Sequence, residues 1–152
     1  MAMEKITALL VEDDPEWQEA LAAFFRDYEQ IELKAIVSSA KDCHRMLEEQ
    51  SFDIVLMDIM LDDYRTSGLD ATLDISWRYP ETKVIMLTSL DNDDEVFNEA
   101  FLNGAYEYIY KYDFEQLPSY VALSFYEPFW RLLVRGFLEP NFSWSYAGIG
   151  GA

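Results

Sequence analysis

Five short apolar runs alternate with amphipathic stretches along the chain. Residues 6–11, ITALLV, are continuously apolar and closed by acids, the pattern of a strand buried on both faces of a parallel sheet. Runs at 31–37 (IELKAIV), 53–57 (DIVLM), 83–88 (KVIMLT) and 105–110 (AYEYIY) predict four more strands. Between them apolar residues recur at helical spacing. Asp14-Pro15 reads as a cap with proline at the first helical position, and Trp17, Leu21, Phe24, Phe25 and Tyr28 then form one stripe. Serines open a second helix over 38–50, a third over 69–79 ends before Pro80, and a fourth over 93–103 stops at Gly104. Strands and helices in strict alternation predict a parallel sheet with right-handed crossovers and helices on both faces.

From about Tyr112 the pattern breaks. Pro118, Pro128 and Pro140 punctuate an aromatic-rich segment that is poor in charge. Val121, Phe125, Phe129, Leu132 and Leu133 keep helical spacing, while Tyr126, Trp130 and Phe137 spread apolar area onto other faces. Two readings stand: a last helix with extra core, or an interface with a second copy or a partner protein. The expected division is a domain over 1–120 and an atypical helical extension over 121–152, too short for a separate effector domain.

Composition narrows the functions. The 152 residues carry 51% hydrophobic residues, enough for a core. The formal net charge is −18, with only 11 Lys and Arg, which argues against direct nucleic-acid binding and against docking on anionic membranes. One cysteine, Cys43, permits no internal disulfide and suits a reducing cytosol. The start of the chain lacks a basic segment followed by a long apolar one, so cytoplasmic residence is expected.

In an open parallel sheet ligands bind beyond the C-terminal strand ends. There the chain places Glu12, Asp13 and Asp14 after the first strand, Asp58 after the third, Thr88 and Ser89 after the fourth and Lys111 after the fifth. Clustered carboxylates repel, and a hard divalent cation such as Mg²⁺ relieves that repulsion while leaving room for a phosphate oxygen. An Asp can attack phosphorus, and Lys111 and the Thr88 hydroxyl can donate to the remaining phosphoryl oxygens.

The stretches LLVEDDP (9–15), FDIVLMDIML (52–61), VIMLTS (84–89) and GAYEYIYK (104–111), in this order and at this spacing, resemble the receiver domain of two-component response regulators. The resemblance covers residues 4–111. It implies a flavodoxin-like three-layer sandwich, a five-stranded parallel sheet of order 2-1-3-4-5 flanked by helices. It implies Asp58 as phosphoacceptor, with Mg²⁺ held by Glu12, Asp13, Asp58 and the backbone carbonyl of Met60. Thr88 and Lys111 would contact the phosphoryl group, and Thr88 and Tyr108 would form the switch. The implied donor is a sensor histidine kinase or phosphotransfer protein, and the output an unspecified downstream protein or self-association, not catalysis of turnover.

The chain departs from the family where LDDYRTSG lacks a proline and is about two residues longer than usual, and where Tyr112 replaces the proline after the rim lysine. A trans Lys111–Tyr112 bond is therefore expected. These departures leave a second reading, a degenerate receiver that serves as a constitutive binding or dimerisation module. A haloacid dehalogenase-like phosphohydrolase would need a second Asp two residues after the nucleophile, where Met60 stands. Met60 and Leu90 cannot orient an attacking water, so slow self-dephosphorylation is expected. Asp14 reads as a helix cap, Cys43 as buried and His44 as a surface residue.

Overall fold

The computed structural model describes residues 5–61, 67–89 and 94–112. The expectations for the loop around 62–66, for Leu90 and for the tail lie outside these residues.

The strands are β1 (Ile6–Val11), β2 (Ile31–Val37), β3 (Ile54–Asp58), β4 (Lys83–Thr88) and β5 (Glu107–Tyr110). The helices are α1 (Pro15–Arg26), α2 (Ala40–Glu49), α3 (Ser67–Arg78) and α4 (Asp94–Leu102). All strand pairs are parallel and the order is β2-β1-β3-β4-β5, as expected. β1 and β3 are central and almost wholly apolar because both of their faces are covered.

Side chains alternate across the pleat and so divide the core. Leu9, Val11, Val55, Met57, Val84 and Met86 point to one face. There they join Cys43 and Leu47 of α2, Leu69 and Ile75 of α3, and Val96 and Ala100 of α4. Ala8, Leu10, Ile54, Leu56, Ile85 and Leu87 are also buried but stand outside that cluster. On their side Leu21 and Phe25 of α1 are buried beside β2.

Local chemistry sets the helix ends. The Asp14 carboxylate accepts from Glu16 N at 2.9 Å with Pro15 opening the helix, so the reading of Asp14 as a cap holds. Ser39 Oγ accepts from Asp42 N at 3.1 Å and starts α2, two residues later than the serine pair suggested. After α4, Gly104 takes φ +101° and Ala105 N donates to Ala100 O at 2.9 Å, a left-handed helix stop. This stop also takes Ala105 and Tyr106 out of the expected fifth strand, which begins at Glu107. Ser76 Oγ donates to Asn103 O at 2.8 Å, and Asn103 Nδ2 to Leu69 O at 2.9 Å, stitching the α4 terminus to α3.

Two further details differ from expectation. Asp58 is the last residue of β3 and does not follow it, since β3 spans Ile54–Asp58 and Asp58 pairs in register with Leu87. His44 is not simply a surface residue. Its Nε2 lies 3.5 Å from Asp74 Oδ2 on α3, because α2 and α3 pack side by side and bring these positions together. Cys43 is fully buried, as expected, and burial pushes its thiol up to about 12.

Candidate functional site at the sheet rim

The C-terminal ends of β1, β3, β4 and β5 converge on one rim. β1 delivers Glu12 and Asp13 in the bend between Val11 and the Asp14 cap. Glu12 N donates to Val37 O at 3.0 Å, which ties the bend to β2. Gln18 on α1 donates from Nε2 to Glu12 O at 2.6 Å and to Ser38 Oγ at 3.1 Å, holding the same bend from the helix side. Thr88 closes β4 and is buried. Lys111 lies in the turn just after β5.

Glu12, Asp58 and Lys111 are all buried at this rim, whereas Asp13 is exposed. The Lys111 ammonium pairs with Glu12 Oε1 and lies 3.4 Å from Asp58 Oδ2. Asp58 Oδ1 accepts from Met60 N at 3.4 Å. Burial and the neighbouring Glu12 push the Asp58 carboxyl up to about 8, against the opposing pull of Lys111 and the Met60 amide. One carboxylate oxygen from each of Glu12, Asp13 and Asp58 lies within 4.8 Å of the others. Three hard oxygen donors this close, two of them buried, form the kind of set that suits a hard cation such as Mg²⁺.

Of the residues named from the sequence, Glu12, Asp13, Asp58 and Lys111 are brought together, and Thr88 ends a strand on the same rim. Glu12 is the closer partner of Lys111, a buried ion pair that no local pattern announces. Tyr108 is half-buried and packs edge-on against Phe97 of α4, ring centroids 5.2 Å apart. Met60 is exposed beside Asp58. The Lys111–Tyr112 bond is trans, as expected from the missing proline.

Two residues gain a role that the sequence did not suggest. Gly68, in the first turn of α3, donates from N to Ile59 O at 2.9 Å, and a Cβ there would stand 2.0 Å from the Asp58 carbonyl oxygen. Trp17, which the periodicity placed in the apolar stripe of the first helix, turns its ring toward the Lys111 ammonium, 5.3 Å from its centroid. A glycine just before the expected third helix and a tryptophan two residues past the proline that follows the Asp14 cap are the faint signals of these roles.

A doubly wound sheet of order 2-1-3-4-5, with paired acids after β1, an acid ending β3, a hydroxyl ending β4 and a lysine after β5, defines an α/β signal-receiver domain. The chain belongs to the response regulator receiver domain family, whose model matches residues 8–122. Receiver domains are phosphoacceptor switches that interact with histidine kinases or phosphotransfer proteins and bind Mg²⁺ through acidic residues.

Among curated proteins, a protein-glutamate methylesterase/protein-glutamine glutaminase 2 of Paramagnetospirillum magneticum is 38% identical over 91 residues, covering 60% of this chain and 25% of that protein. The response regulator protein VraR of Staphylococcus epidermidis is 34% identical over 106 residues, covering 70% of this chain and 49% of VraR. This chain thus spans a quarter to about half of the length of these two relatives. Among solved structures, a DNA-binding response regulator of the LuxR family from Staphylococcus aureus superposes with a TM-score of 0.65 at 22% identity, covering 74% of this chain and 92% of that one. The expectation that nucleic acid plays no part does not hold across such relatives, and the charge argument reaches no further than the residues of this chain. No helix among the described residues is long and apolar enough to cross a membrane.

Proposed function

We propose that the chain is a phosphorylation-switched receiver in which Asp58 accepts a phosphoryl group from a phosphohistidine of a sensor kinase or phosphotransfer protein in the cytoplasm. One observation carries the reading: a buried lysine and two further carboxylates meet the Asp58 side chain at a strand end. A carboxylate oxygen of Asp58 would form the new O–P bond while the P–N bond to the donor histidine breaks. The electron pair of that bond leaves with the imidazole.

Glu12, Asp13, Asp58 and the Met60 carbonyl would hold Mg²⁺, which when bound neutralises charge on the phosphoryl oxygens. Lys111 would exchange part of its pairing with Glu12 for a phosphoryl oxygen. Thr88, at the end of β4, would donate its hydroxyl to another. Thr88 and Tyr110 are register partners in β4 and β5, so a shift at Thr88 is felt along β5, where Tyr108 packs on Phe97. Output would follow as a changed affinity for a downstream protein or a second copy.

The test is intact-mass measurement after incubation with Mg²⁺ and acetyl phosphate, for the natural chain and for Asp58→Asn. A single phosphoryl adduct in the first and none in the second is expected. An adduct that persists in Asp58→Asn overturns the assignment. No adduct with any donor leaves the constitutive binding module as the better reading.

A further inference from the structure

Lys111 has to do two things if Asp58 is the phosphoacceptor. Before transfer its ammonium is drawn to Glu12 and Asp58, and afterwards it must face a new anion. A cation held only by anions is re-aimed at the cost of one ion pair for each one gained. A neutral contact that stays with the ammonium throughout would let it turn between them.

The structure supplies such a contact. The Lys111 side chain is 6% exposed, and its Nζ also lies over the ring of Trp17, 5.3 Å from the centroid. An indole face is the strongest aromatic partner for an ammonium, and more so where water is excluded. The ring is itself held. Tyr112 meets it edge-on, centroids 5.8 Å apart at 74°, and Tyr110 packs on Tyr112 at 5.1 Å. Its helix is tied to the same bend that carries Glu12, through the Asp14 cap and the Gln18 hydrogen bond to the Glu12 carbonyl. Trp17 and Glu12 are therefore carried on one hydrogen-bonded segment.

We propose that Trp17 is a positioning residue for phosphoryl transfer, its indole face holding the Lys111 ammonium at the rim and Tyr112 holding the indole. The inference rests on the phosphoacceptor reading of Asp58. It also places the control of the lysine in α1 and the turn after β5, apart from the carboxylates that bind it.

The test compares the natural chain with Trp17→Ala, Trp17→Phe and Trp77→Ala, the last altering an exposed tryptophan on α3. Adduct formation is followed by intact mass with acetyl phosphate and Mg²⁺. Trp17→Ala should slow it by about 3- to 30-fold, the span of a partly desolvated cation–π contact. Trp17→Phe should restore most of the rate and Trp77→Ala should not change it, which a general loss of packing would not reproduce. In parallel, the ε-methylene resonance of ¹³C-labelled lysine, assigned to Lys111 through Lys111→Arg, should lose its ring-current shift in Trp17→Ala without any donor present. A rate within about twofold of the natural chain in Trp17→Ala overturns the proposal, whatever the spectrum shows. If the natural chain takes no phosphoryl group, the phosphoacceptor reading fails. The spectrum then decides separately whether Trp17 holds Lys111, and an unmoved resonance overturns that as well.

Discussion

Gly68 presses its backbone onto Asp58: an added Cβ would lie 2.0 Å from the Asp58 carbonyl oxygen and 2.7 Å from Ile59 Cα. Both atoms belong to backbone, so neither can rotate away. Replacing a helical glycine by alanine ordinarily stabilises by up to about 1 kcal/mol. Here the sign should reverse. Gly68→Ala is expected to lose about 3 kcal/mol or more, as overpacking against an immobile wall does, read by urea unfolding. A variant as stable as the natural chain would mean that α3 can retreat from β3.

Asp58 is buried next to Glu12, and its charge is costly there without a cation. Asp58→Asn keeps the shape and removes that charge. The variant is expected to melt at a higher temperature than the natural chain in metal-free buffer, by a few degrees for about 1 kcal/mol. Added Mg²⁺ should raise the melting temperature of the natural chain more than that of the variant. Equal Mg²⁺ responses would remove Asp58 from the donor set.

Glu107 opens β5, and burial raises its carboxyl to about 7, only partly offset by the hydrogen bond from Tyr108 N. The folded state therefore holds its proton more tightly than the unfolded chain, whose carboxyl has the ordinary value of 4.5. The resulting stability is present below pH 4.5 and is lost as pH rises through about 7. Glu107→Gln should leave stability near pH 5 little changed and raise it at pH 8 by on the order of 2 kcal/mol. Denaturant titrations of both chains at the two pH values check this, and a constant difference between them would refute it.

Met60 stands exposed beside Asp58 with a thioether that cannot activate water. The phosphorylated chain should hold its adduct for minutes or longer when donor is removed. Met60→Gln, which can hydrogen-bond a water, should shorten that lifetime by roughly 3- to 10-fold. Decay of the natural adduct within seconds would sink the idea.

The sheet was legible in the sequence because its inner strands β1, β3 and β4 are almost wholly apolar, and parallel alternation with helices then leaves few arrangements. The rim acids and Lys111 were legible because each falls at a strand end. Closeness across the rim was not. That Lys111 prefers Glu12 depends on where the bend after β1 is held by Gln18 and by the Val37 carbonyl, the latter a contact distant in sequence. The contact of Trp17 with Lys111 was not legible, because helical spacing assigns a face to a side chain but not a partner. The start of β5 was placed two residues early because alternating apolar residues continue through Ala105 and Tyr106, while a left-handed glycine redirects the backbone.

At the other end of β3, Asp53 Oδ2 accepts from both Thr7 N, at 2.8 Å, and Thr7 Oγ1, at 3.1 Å, while Asp53 N donates to Thr7 O at 3.0 Å. The strand that ends in Asp58 is thus tied to β1 five residues before that aspartate. These bonds oppose any slip of its register against β1. If Asp58 takes a phosphoryl group, the displacement that follows is expected in β4, β5 and the helices beside them, with β1 and β3 as the fixed datum against which it is measured.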